Sequence, residues 1–587
     1  MKFDSGQEGP SRIYKSSALF AAIVILAFVA HGTEASAQTT RMVSHGGISN
    51  GNISARNDSK PASNLPAQVT RINELIERDW AEYELKPSKD ATEGEWCRRV
   101  FLDVIGRTPT VNETREFLTS KEEDKRLKLV KKLLYSDDYT EEFARNWTTV
   151  WTNLLIGRTG GTANNSMINR EGMQKFLRDS FARGKPYNDM VHDLITATGT
   201  TAPGDPDFNG ATNFLIDKVN EEDASLATSS TTRLFLGLQV QCAQCHKHPF
   251  NEWEQETYWQ MNAFFRQAKA FPRGMRTETG ANGELADQDF ASRRRRDFDE
   301  AEIYFESRNG LMQVAWPVFV DGTEVDRSGL VNVVNRREEL SKLIKTSPFL
   351  DRTIANRMWA HFLGYGFTSP VDDLGPHNVP SNPELLDYIG TEFRTANYDL
   401  RELMKWIVLS KPYALSSRQT KANASDDPLQ GVSPRFSHFY IRQMQPEQLF
   451  ESLLVNTESA ARGTYEEQER RKSQWLQQFN NAFATDEGGE STDFNGSIPQ
   501  ILMMFNGDMI KAATKAGEGS VIEQLVASGG SPREKVNRLF YAGLSRAPTS
   551  QETRMAMGMI DARANLGEGL RDVWWVVLNS NEFIFNH

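Results

Sequence analysis

The stretch "RVFLDVIGRTPTVNETR", residues 99–115, decides the fold class. It reads as a helix ending near Gly106, a Pro turn, and a second helix opening at Thr110. Glu113 follows Thr110 at the T-x-x-E spacing. There the Thr hydroxyl and the Glu carboxylate satisfy free backbone N–H groups reciprocally. "RLFYAGLSRAPTSQETR", residues 538–554, repeats the pattern without a gap, with Ser545, Thr549 and Glu552 in the matching places. Arg107 and Arg546 also match. An arginine just past a helix end bonds its last carbonyls or grips a carboxylate in a fork. Two copies of a helix–turn–helix corner, near opposite ends of the chain, predict a helical protein.

Outward from these corners the pattern stays helical. Val69, Ile72, Leu75, Ile76 and Trp80 recur at helical spacing, and helical patterning continues to about Gln267. It resumes near Arg336, where "SNPELLDYIGTEF" (381–393) places Ser381 and Glu384 at capping-box spacing. The break between, Ala268 to Val334, holds the one strong β signal. There "EIYFESRNGLMQVAWPVFVDG" (302–322) sets apolar runs on either side of Asn309-Gly310, a hairpin pattern. Four arginines, Arg293 to Arg296, precede it, but Asp297, Asp299, Glu300 and Glu302 follow at once and read as their neutralising partners. The expected architecture is mainly α: two helical domains, 68–270 and 336–587, joined by a linker, 271–335, carrying a small β-hairpin.

The chain has 587 residues, 25% charged and 39% hydrophobic, the balance of a globular protein with sizeable cores. A net charge of -11 argues against a nucleic-acid partner, because phosphate contacts need a basic face. The N-terminus reads as an export signal. Arg12 and Lys15 precede the apolar run Ala18 to Ala30, and Ala35 and Ala37 have signal-peptidase spacing. Residues 1–37 are therefore expected to be a cleaved signal, 38–67 a flexible polar linker, and the mature chain periplasmic, extracellular or on the cell surface without a transmembrane anchor.

Only three cysteines occur, so there is no disulfide framework. Cys97 reads as a small buried hydrophobe. The other two lie in "QVQCAQCHKHPF", residues 239–250. Cys242, Cys245 and His246 form Cys-x-x-Cys-His, the attachment motif for c-type haem: two thiols add to the porphyrin vinyl groups and the imidazole meets the iron. A six-coordinate haem needs a second axial ligand, and His248 is too close to His246 in the chain to reach the opposite face. Met261, His361 and His377 are the candidates. Two other readings use the same residues. Cys242, Cys245 and His248, with one more ligand, suit a tetrahedral zinc site, to which His246 is a further candidate donor. The cysteines alone suit a redox disulfide. Asn251 to Glu254 then has capping-box spacing ahead of an aromatic-rich helix with Trp253, Tyr258, Trp259, Phe264 and Phe265.

A second candidate site is "NRMWAHFLGYGFTSPVDDLGPHNVPSNPELLD" (356–387), with Arg357, His361, Asp372, Asp373 and His377. Adjacent carboxylates near a histidine suit metal binding or acid–base work, or else bond the backbone of a Gly/Pro-rich turn. No G-x-S-x-G, H-E-x-x-H, P-loop or G-x-G-x-x-G occurs, and no catalytic residue is assigned.

Taken together, "RRVFLDVIGRTPT", "VWTNLLIGR", "LQVQCAQCHKHPFNEW", "NRMWAHFLGYGF", "PVDDLGPHN", "PSNPELLDYI" and "LNSNEFIFNH" resemble the planctomycete secreted proteins that join a PSCyt-type domain (domain of unknown function 1549) to a PSD-type domain (domain of unknown function 1553). The resemblance runs from about Val69 to His587. It implies a cytochrome-like name for the first domain, taken from the motif carried here by Cys242, Cys245, His246 and His248, but no defined activity. Some relatives carry a separate cytochrome c domain, which counts against haem at this motif, and the extra histidine, His248, favours a metal or structural role. Lys247 stands where an acidic residue is common, and Asn382 where a histidine is common. Function is thus expected to be redox or metal binding, with haem c, zinc or no cofactor, and with extracytoplasmic redox or surface proteins as partners. The alternative is a non-catalytic scaffold or glycan-binding protein in which the cluster is a structural staple.

Overall fold

The computed structural model describes residues 65–219, 223–251, 253–274, 281–292, 296–457 and 520–587, with a few positions between 467 and 476 and Thr514. The expected signal peptide, most of the polar linker, Arg293 to Arg295 and Glu252 lie outside the described residues.

The protein is mainly α, and among the described residues its sheets are small: one of three strands and two of two. The first helix, Ala67–Glu82, buries Val69, Ile72, Leu75, Ile76 and Trp80 on one face. Both corners form as the sequence predicts. Helix Glu93–Ile105 ends at Gly106 in the left-handed conformation, and Val111–Thr119 opens on a capping box of Thr110 and Glu113. Helix Pro532–Leu544 ends at left-handed Ser545, and Ser550–Asp561 opens on a capping box of Thr549 and Glu552.

The two arginines make the same fork. Arg107 donates twice to Glu113, both at 2.9 Å, and reaches across to Glu142. Arg546 donates to Glu552 at 2.9 and 2.8 Å and reaches across to Glu582. The two copies also touch each other. The carbonyl of Ser545 closes on Gly94, where a methyl group would sit 2.5 Å from it. Arg98 donates to the carbonyls of Gly543 and Phe583 at 2.7 and 2.6 Å.

Two helix starts differ from expectation. Helix Pro383–Thr395 is capped by Asn382, not Ser381. Pro383 occupies the first helical turn, where its missing N–H is no loss, so the residue just before it becomes the cap. Glu384 instead pairs with Arg71 and Arg78. The aromatic-rich helix spans Gln255–Asn262 and leaves Trp253 outside. The Trp253 carbonyl accepts from His248 N at 2.9 Å, and Lys247 holds Glu254, so the chain is still turning where a helix was expected.

The described part of 271–335 holds the expected hairpin and one strand of a further sheet. The hairpin pairs Ile303–Glu306 with Met312–Ala315 around Asn309-Gly310, as expected. A second, unforeseen sheet pairs Ala268–Pro272 with Gly283–Asp287 and adds Gly199–Thr200 at the other edge. Two fully buried arginines tie it down. Arg336 donates to the carbonyls of Ala263, Ala301, Arg327 and Ser328. Arg337 donates to Ile195 and Ala197 carbonyls and pairs with Asp287 at 2.8 Å. Buried guanidinium groups are tolerated because so many of their N–H groups find carbonyl acceptors.

One continuous hydrophobic core runs from Val69 to Tyr440, drawing on helices from both sides of this insertion. A second core joins Leu102 to residues between Met444 and Phe583. The shared first core fixes the loops that carry the site against one another.

Candidate functional site

The cysteine loop grows out of the end of helix Ser225–Leu236. Gly237 stops that helix in the left-handed conformation, and a methyl group there would press within 2.7 Å of Thr353 Oγ1 and 2.9 Å of Leu374 Cδ1. A 3₁₀ turn, Gln241–Gln244, follows. Ala243 is its buried anchor. The Gln244 side chain donates to Ser225 Oγ at 2.9 Å, and its carbonyl accepts from Trp259 Nε1 and Gln255 Nε2, both at 3.1 Å. Cys242 and Cys245 are exposed, free thiols. Cys97 is a buried thiol whose ionisation is pushed far up by burial, which suits the expected inert role.

The two histidines of the motif diverge. His246 is exposed, with Nδ1 2.6 Å from the Lys247 carbonyl. His248 is buried, and its Nδ1 accepts a long 3.3 Å hydrogen bond from Phe250 N. Burial, helped by the neighbouring His377 and His246, lowers the proton affinity of His248, while Asp373 opposes the shift.

The loop after the Ser369-Pro370 bond docks against this segment. Leu374 N donates to the Gly237 carbonyl at 2.7 Å. Asp372 accepts from Arg233 at 3.2 Å and from Gln239 at 3.0 Å. Asp373 accepts from His377 Nε2 at 2.9 Å. Both carboxylates thus serve side chains, not the turn backbone. The His377 ring lies 5.8 Å from the His248 ring and 6.4 Å from that of Phe250. The sequence presents these loops as two candidate sites, and the structure brings their ends together at His248 and His377.

Arg357 and His361 are placed elsewhere. They sit on helix Pro348–Leu363, inside the core. His361 packs on Trp147 at 4.9 Å, and burial, with Arg442 nearby, depresses its pKa to about 3. Its surroundings thus favour the neutral imidazole. Arg357 is buried beside Tyr187. Met261 is fully buried.

The two halves of the chain match family models in turn. Residues 71–270 match PSCyt2, a protein of unknown function (DUF1549), and residues 336–487 match PSD1, a protein of unknown function (DUF1553). The chain belongs to the family that joins these two domains. No curated protein and no solved structure matches it. The PSCyt2 domain supplies Cys242, Cys245, His246 and His248, and the PSD1 domain supplies Asp373 and His377.

Three participants carry no local sequence signal: Arg233, Gln239 and Gly375. The first two are recognisable only by their partner Asp372 in the other domain. A methyl group on Gly375 would lie 2.7 Å from His377 Nδ1 and 2.6 Å from Asn251 Nδ2, so only glycine fits between these two side chains. A separate cleft of about 800 Å³ lies over the C-terminal corner, lined by Thr92, Arg418, Arg546, Pro548, Phe585 and His587. Arg546 in its wall is paired with Glu552 and Glu582.

Proposed function

We propose that this protein is an exported metal-binding protein whose Cys-x-x-Cys-His-x-His loop takes a small, soft-to-borderline ion such as zinc. The observation that carries the reading is the 3₁₀ turn Gln241–Gln244. Cys242 lies in this turn and Cys245 caps it, and at three residues per turn positions i and i+3 come nearly into line, the spacing a thiolate pair chelating one ion uses. Both thiols are exposed and His248 follows three residues after the second. Export is carried by the apolar run Ala18 to Ala30 behind Arg12 and Lys15.

Haem, the group the cytochrome-like name brings up, fits these residues poorly. Met261 and His361, two of the three expected axial partners, are enclosed in the core. The aromatic side chains that would wall a macrocycle are committed elsewhere: Tyr258, Phe264 and Phe265 are fully buried, and Trp259 stacks on Phe305. A second reading, a partner-binding scaffold, draws on Phe250 and Val379, which are 76% and 69% exposed beside the cluster.

Elemental analysis and a pyridine haemochrome spectrum on the exported protein decide the matter. About one zinc per chain, lost in Cys242→Ala, is expected. Covalent haem that survives denaturation sinks the proposal. Neither group, in protein purified with its thiols reduced, leaves the scaffold reading.

A further inference from the structure

We infer that the ion is shared between the domains: His377 of the PSD1 domain is a ligand, and Asp373 is the residue that positions it. This rests on the metal-binding reading above and names the ligand that the cysteine loop lacks. Four observations carry it. The His377 ring is 5.8 Å from the buried His248 ring, a separation that one ion between two imidazoles occupies with small adjustments. His377 Nε2 is committed as a donor to Asp373 at 2.9 Å, which fixes the tautomer and leaves the Nδ1 lone pair as the ligating atom. Gly375 packs on the Nδ1 edge of the ring without a side chain of its own, since a Cβ there would begin 2.7 Å from Nδ1 and 2.6 Å from Asn251 Nδ2. Asp372 clamps the loop to Arg233 and Gln239, on the segment that leads into the cysteines.

Among the described residues no three His, Cys, Asp or Glu side chains already converge as a finished centre. The exposed thiols of Cys242 and Cys245 must therefore close over His248, and the 3.3 Å bond from Phe250 N to His248 Nδ1 is the weak contact that gives way. The result is a two-sulfur, two-nitrogen tetrahedral site that clips the PSCyt2 domain to the PSD1 domain.

Anaerobic titration of the full chain with Co²⁺ alone tests this. One Co²⁺ per chain is expected, with intense tetrahedral d–d bands and thiolate charge-transfer bands. His377→Ala should keep the thiolate bands, alter the d–d bands and weaken binding by about 10- to 100-fold, and Asp373→Asn by about 10-fold. X-ray absorption on the zinc-loaded wild type counts the imidazoles without any variant. Two imidazoles beside two sulfurs are expected, and one overturns the inference. If His377→Ala binds Co²⁺ like the wild type while Cys242→Ala does not bind, the shared site is wrong and the cysteine-loop reading stands. If the wild type binds no Co²⁺, both fall.

Discussion

The imidazole of His377 meets that of His248 with 5.8 Å between ring centres, one from each domain. The meeting is held by the Asp372 carboxylate, which grips Arg233 and Gln239 across the same junction. Asp372→Ala would remove the acceptor that Arg233 and Gln239 share. We expect a loss of about 1–3 kcal/mol in stability. The same variant should increase amide exchange in the 371–378 loop, read by hydrogen–deuterium exchange. Unchanged protection there would show that the loop is held by other contacts.

The fork of Arg107 onto Glu113 gives a pH dependence with a definite sign. Glu113 is buried, which pushes its pKa up, but the hydrogen bonds and charge of Arg107 prevail and hold it at about 2. A carboxylate depressed below its unfolded value contributes stability above that value, near 4.5, and loses it as pH falls toward 2. Glu142, on the far side of the fork, is shifted up by desolvation and offsets part of this at neutral pH. Urea unfolding between pH 3 and 7 should show the Glu113→Gln variant losing about 2–3 kcal/mol of that acid-sensitive stability. Parallel wild-type and variant profiles would rule the fork out as its source.

His361 contributes acid sensitivity in a different window. Buried and neutral, with its pKa near 3, it takes up no proton where the unfolded chain does, below 6.5. Stability from this group is therefore lost as pH falls from 6.5, by at most about 1.4 kcal/mol per pH unit. His361→Phe should flatten the melting temperature between pH 6 and 4, and an unchanged slope counts against a buried neutral imidazole.

Ser545 and Gly106 end equivalent helices in the left-handed conformation, at φ 56° and 77°. Only glycine adopts it without strain, and the Ser545 hydroxyl is buried without a hydrogen-bond partner. Ser545→Gly should stabilise the protein by about 0.5–1 kcal/mol. Gly106→Ala should destabilise it by more than that, since its methyl would land 2.4 Å from Asn146 Oδ1. Thermal melts of the two variants should move in opposite directions.

Much of this architecture was legible in the chain because it is local. The helix faces, both capping boxes, both Arg–Glu forks and the Asn309-Gly310 hairpin each depend on residues within a few positions of one another. At two helix starts, local rules compete. Ser381 loses the cap to Asn382 because Pro383 sets the boundary. Trp253 is drawn into a turn by His248 N. The three-stranded sheet escaped notice because Gly199–Thr200 is too short to signal a strand and its partner, Gly283–Asp287, lies far along the chain.

The sequence by itself determined the helical class, the repeated corner and the chemistry-bearing residues: the Cys242–His248 motif and the Asp372–His377 loop. Tertiary structure alone decided which of them share a site. It buried Met261 and Arg357, packed His361 on Trp147, and left His377 facing His248 with Asp373 bonded to it. The reason is physical. Helix faces and caps follow from spacing along the chain, whereas the meeting of two loops follows from burying apolar surface shared by two domains, which no local pattern encodes.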